Sequence, residues 1–221
     1  MNDITFNEKE DGYNIVRKYA ESDYTVLANL YKNIDNSATS ELIQKFHEDD
    51  QNIPVWSFIE TLSFGRFIEL YNYYYGIYGG ASYSSFLGSI KFLRNAAAHN
   101  TCLLNSMRRP YGIKINKNKH IMDCLDKSKK FTTSFKTKME NPVIHDFVVL
   151  LFVYCDVLNT SANRSMREKG MEEVRKLFFE TMLRKQEYFK KNDVLVENYK
   201  FICQVINYLE NCRNKQILKN N

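Results

Sequence analysis

The stretch Val143–Leu158 constrains the fold most: sixteen residues that are apolar apart from His145, Asp146, Tyr154 and Asp156. A helix that is apolar around most of its circumference has to be covered on nearly every side. The run therefore predicts the central core helix of a helical protein. It falls short of the roughly 20 apolar residues that cross a bilayer, and its ionisable side chains oppose insertion, so no membrane span is expected.

The rest of the chain reads the same way. Only three prolines and eight glycines occur in 221 residues, which disfavours a turn-rich β architecture. Apolar residues at helical spacing mark segments over 11–33 and around Leu42, Ile43 and Phe46. Pro54 suits the first turn of a further helix that carries Val55, Trp56, Ile59, Leu62, Ile68 and Leu70, with Gly65 inside it at a possible close crossing. Gly76, Gly79 and Gly80 predict a loosened connection, followed by a helix from about Ser84 to Leu104. Residues 106–140 read as a basic, mobile insertion: a loop with a short helix. Helices are predicted over 142–158, 165–191 and 193–211, and the tail Lys215–Asn221 as frayed. The expected fold is all-α, a single domain over 1–221 with no internal repeat.

Charge is unevenly spread. Residues 1–60 hold 5 basic and 12 acidic side chains, whereas residues 91–138 hold 12 basic side chains against Asp123 and Asp126 alone. A basic stretch of this kind attracts phosphate chains, although such runs also serve as plain solvated surface. The five cysteines are odd in number and form no CxxC pair, which argues against a disulfide framework or zinc site and points to a reducing cytoplasm. No basic patch followed by an apolar run opens the chain, so no signal peptide is expected.

Few residues offer chemistry. The glycines lack the order and trailing Lys-Ser or Lys-Thr of a phosphate loop. His47, His99, His120 and His145 show no metal-ligand spacing, and Glu48-Asp49-Asp50 reads as an exposed helix-end cluster, so neither metal nor cofactor is expected. The exception is Lys91-Phe-Leu-Arg94-Asn95-Ala-Ala-Ala-His99-Asn100. On a helix Asn95 and His99 are one turn apart and share a face, with Arg94 flanking them. Histidine exchanges protons near neutral pH, here with a ribose 2′-OH or a leaving 5′-oxygen. Arginine holds phosphate and offsets charge on its non-bridging oxygens, while Asn95 orients the imidazole or contacts the phosphate. Three alanines leave room for another helix or a symmetry mate. One histidine cannot be acid and base at once, so a two-fold dimer would complete the set. Taken alone, the same residues also suit an ion-paired arginine and a satisfied core histidine.

Two blocks widen the pattern: Ile53-Pro54-Val-Trp56-Ser-Phe-Ile-Glu60-Thr-Leu-Ser63-Phe64-Gly65, and Leu93-Arg94-Asn95-x-x-Ala98-His99-x-x-x-Leu103-x-Asn105. In order and separation they resemble the Abi-like family of abortive-infection proteins (the AbiD and AbiF group), over about residues 40–106. That resemblance implies a HEPN-like helical bundle and a metal-independent endoribonuclease acting as a phage-defence toxin, usually as a homodimer with a composite site. It implies Arg94 and His99 as catalytic, Asn95 as their polar support, Glu60 as a partner behind them, and Trp56, Phe64 and Gly65 as packing residues. Asn100 and Leu104 depart from the second His or polar residue and the Trp found in many relatives, which bears on substrate choice. Lys91, Arg108, Arg109, Lys114 and Lys117 are expected to guide RNA, and a protein or RNA antitoxin is a further expected partner. The other readings are a non-catalytic HEPN module that binds RNA or protein, and a helical adaptor whose basic segment meets an acidic partner.

Overall fold

The computed structural model describes residue 59 and residues 62–80, 82–103, 107, 111, 115–212 and 217–218. Eight helices and no strand occur among these residues, as the all-α expectation requires. The chain divides into two compact units, Met1–Gly80 and Ala81–Asn221.

In the first unit, helix α1 spans Phe64–Tyr78. Ser63 caps it, its hydroxyl accepting from the Arg66 N–H at 3.4 Å. Instead of one helix running from Pro54 past Leu70, a helix starts at the Ser63 cap, and Gly65 falls in its first turn. Aromatic rings three and four residues apart touch along it, from Phe67–Tyr71 at 6.0 Å to Tyr71–Tyr75 at 4.6 Å. Gly76 is helical, and the connection begins at Gly79 and Gly80, with φ of 67° and 99°. Only glycine adopts that left-handed region without strain.

The second unit holds α2 (Ser84–Ala98), α3 (Lys119–Lys127), α4 (Phe135–Lys138), α5 (Pro142–Thr160), α6 (Arg164–Arg184), α7 (Gln186–Phe189) and α8 (Asp193–Glu210). The apolar run became α5, nineteen residues long, with Pro142 in its first turn and Asn141 capping the N–H groups of Val143 and Ile144. By length and composition α5 would pass for a membrane span, but more than half of it is buried inside the protein, against α2, α6 and α8. Gly170 of α6 makes one of these crossings close: a Cβ there would stand 2.5 Å from Leu158 Cδ1.

Part of the basic segment over 106–140 is core, not loop. Ile121 and Leu125 of α3 and Met139 after α4 are fully buried, and Phe135 nearly so. Each contributes roughly 1.5–3 kcal/mol of apolar burial, which holds the helices that carry them in place.

The buried polar residues of α5, His145 and Asp156, are satisfied internally. The His145 ring receives the Asn118 N–H on Nε2 at 3.2 Å and meets Asp146 through Nδ1 at 2.9 Å. Buried Asp156 accepts from the Tyr83 hydroxyl at 3.0 Å and from the N–H groups of Ile217 and Leu218 at 2.7 and 3.1 Å. Those last two bonds correct the expectation of a frayed tail. Leu218 is 1% exposed, anchored by its own apolar burial and by a carboxylate that needs donors.

Candidate functional site

Arg94 and Asn95 lie in the last turns of α2, whose other face buries Phe86 and Leu87 in the core. The helix stops at Ala98, earlier than the expected Leu104, and Asn100 is the cause. Its φ of 52° is left-handed, a conformation that asparagine tolerates better than other side-chain-bearing residues. The Asn100 N–H then donates to the Ala97 carbonyl at 3.2 Å and the Thr101 N–H to the Ala96 carbonyl at 2.8 Å. This paired closure satisfies carbonyls that a helix end otherwise leaves open.

His99 therefore caps the helix instead of continuing it. Its N–H still donates to the Asn95 carbonyl at 2.9 Å, so Asn95 and His99 keep the one-turn relation that their spacing predicts. Arg94 turns toward the same side, its Nη1 donating to Asn95 Oδ1 at 3.3 Å. Arg94 and His99 are both exposed, and among the described residues neither has an ion pair, nor does the His99 ring have a hydrogen bond. Cations on other helices are commonly paired, as in Arg66–Glu69, Arg164–Glu168 and Lys200–Glu197. The difference follows from sequence, since no Asp or Glu occurs between Glu69 and Asp123.

The motif face also carries Lys91, exposed and likewise without an ion pair among the described residues, and Phe92, 69% exposed. Phe92 escaped the sequence reading, although its place one turn before Asn95 puts it on this side. Gly88 lies on the same open face, where an added Cβ would meet nothing within 4 Å. Ala97 and Ala98 are exposed and Ala96 is half-buried, so the small side chains leave the end of the helix uncovered.

Lys117 is half-buried and partly committed: it pairs with Glu140 at 3.7 Å and reaches the Lys136 carbonyl at 3.5 Å. Glu60, Arg108, Arg109 and Lys114 lie outside the described residues, as do His47 and Trp56. His120 Nε2 donates to the Ile217 carbonyl at 3.0 Å, tying α3 to the C-terminal segment. Among the described residues no group of His, Cys, Asp and Glu is arranged to hold a metal ion. Burial pushes the Cys124 and Cys203 thiols up, which disfavours their nucleophilic thiolate forms.

Residues 1–105 match the family of Abi-like proteins. The matched span is just under half of the chain and includes Arg94, Asn95 and His99. It ends where the second block of the motif ends, so α3 to α8 lie beyond the likeness. No curated protein and no solved structure matches the chain.

Proposed function

We propose that this chain is an abortive-infection effector that cuts RNA without a metal ion, with Arg94, Asn95 and His99 as its catalytic group. The observation that carries this reading is an arginine and a histidine exposed at one helix end, without carboxylate partners among the described residues and held in register by Asn95. An unpaired guanidinium is available to a phosphate, and an imidazole without a hydrogen-bond partner is available for proton transfer.

In this mechanism one imidazole takes the proton of the ribose 2′-OH, and the 2′-oxygen attacks the adjacent phosphorus. The bond from phosphorus to the 5′-oxygen breaks, and a second imidazolium returns a proton to that oxygen. The products carry a 2′,3′-cyclic phosphate and a 5′-OH. Arg94 binds the non-bridging oxygens as their charge grows. Each chain supplies one such histidine, so the second comes from another copy related by a two-fold axis. The open face with Gly88, Phe92 and Ala98 suits that pairing. Lys91 guides RNA to the site, the setting is the cytoplasm, and an antitoxin restrains the protein between infections. The HEPN bundle that the motif resemblance implies is part of the same proposal.

The test is RNA cleavage by the purified chain with and without EDTA, together with growth arrest on expression in bacteria. Cleavage should survive EDTA, and both effects should vanish in Arg94→Ala and His99→Ala while the helical signal stays intact. Toxicity that persists in both variants sinks the site assignment. A second reading, a non-catalytic RNA- or protein-binding module, is favoured by the exposure of Phe92, because an open aromatic is a contact residue in its own right. RNA binding without cleavage by the wild type would select it.

A further inference from the structure

A cavity of about 240 Å³ lies in the second unit between α5, α6, α7 and α8. Phe147, Phe178, Met182, Leu195 and Ile202 line it, and none of its described lining residues is charged. One polar group breaks the pattern. Asn198 lines the cavity yet is 7% exposed, and among the described residues its side-chain amide has no hydrogen-bond partner. The other polar lining group, the Tyr199 hydroxyl, is engaged by Cys203, while its ring stacks on Phe178 at 5.3 Å.

A buried amide without partners is costly, and native structures leave few of them. The cavity is half open, so water reaches it, but its mostly apolar wall offers few of the two to four polar partners that an ordered water takes. A side chain that helps the fold would find its partner within the fold, as Asn141 and Asn159 do at the Met107 and Cys212 carbonyls. We propose that the cavity is a binding site for a small neutral molecule with an apolar body and one hydrogen-bonding group that pairs with Asn198. An apolar cavity of about 150 Å³ accepts benzene, so this one suits roughly ten heavy atoms. The group is neutral because an ion would lose its hydration with no counter-charge along the described wall.

Leu103 and Met107 also line the cavity. They belong to the segment that leaves His99, so a bound molecule touches the chain on its way out of the motif.

Indole, with nine heavy atoms and one N–H, is the probe, and indene is its isostere without the N–H. Methyl NMR of the full chain should show saturable indole-induced shifts at Met182, Leu195, Ile202 and Met107. Indole should bind about tenfold more tightly than indene, and indole-3-carboxylate should not compete. Asn198→Leu should abolish the preference for indole while retaining indene. Leu195→Phe, which fills the space from one turn before Asn198 on α8, should remove the shifts altogether and serves where Asn198→Leu fails to fold. Absence of saturable shifts below the solubility limit, as for a cavity that holds water only, overturns the proposal. Shifts at methyls outside the cavity, or equal affinity for indole and indene in the wild type, overturn it as well.

Discussion

His99 and His145 both follow an asparagine by four residues on a helical turn, yet their surroundings are opposite. The Asn141 carbonyl accepts the His145 N–H at 2.9 Å, just as Asn95 does for His99. There the likeness ends. The His145 side chain is 5% exposed and both ring nitrogens are occupied, one by the Asn118 N–H and one by Asp146. The His99 ring stands in solvent at a helix end with no hydrogen bond among the described residues. A histidine whose nitrogens are used by the fold holds structure. One whose nitrogens are open is available to a substrate. The same contrast separates the middle of α5, where His145 and Asp156 are buried, from the end of α2, where Arg94 and His99 are exposed.

Exchanging the roles of the two histidines tests this contrast most severely. His99→Ala should lower RNA cleavage by about 10²–10⁴-fold, the usual range for a lost proton-transfer group, with its melting temperature unchanged. His145→Ala should leave the cleavage rate of the folded fraction intact and cost about 2–3 kcal/mol in urea unfolding, because the Asn118 N–H loses its acceptor. Equal losses of stability from the two changes would erase the distinction.

Asp156→Ala sharpens the inward half of the comparison. It removes the acceptor of two backbone N–H groups and one acceptor of the Tyr83 hydroxyl, so a loss of about 3 kcal/mol is expected, together with faster hydrogen exchange at Ile217 and Leu218. Exchange at those amides as slow as in the wild type would show that the tail does not depend on the carboxylate. Gly170→Ala pushes a methyl group into fully packed Leu158 and should cost about 1–3 kcal/mol, despite alanine's better helix propensity. A gain in stability there would mean that the α5–α6 crossing relaxes freely.

The smallest effects belong to the outward half. Asn100→Gly should leave the melting temperature unchanged or raise it slightly, whereas Asn100→Val should lower stability by about 1–2 kcal/mol, since a branched side chain resists positive φ. If both variants behave alike, the helix end is not set by residue 100. Alkaline stability gives a final check away from the site. The Tyr199 hydroxyl is pushed up to about 12, first by burial and then by Cys203. Its contribution is therefore present below pH 10 and is lost as pH rises from 10 toward 12. Tyr199→Phe should show a shallower fall in stability across that window than the wild type.

The sequence by itself determined the helical class, the central place of Val143–Leu158, and the one-turn relation of Asn95 to His99. These are local properties: periodicity, scarce proline and glycine, and residue spacing act over a few turns and need no distant partner. The absence of acidic residues around the motif was equally present in the chain, and it leaves Arg94 without a helical ion-pair partner among the described residues. Tertiary structure decided the rest. Leu218 is buried because Asp156, far away in sequence, needs donors. The basic segment beyond residue 106 is partly core because Ile121, Leu125 and Met139 find apolar neighbours on other helices. The end of α2 at Ala98 depends on a backbone conformation at Asn100 that asparagine permits without demanding. Which histidine is open and which is closed was likewise invisible in the residue types, since burial and hydrogen-bond partners are set by what packs alongside.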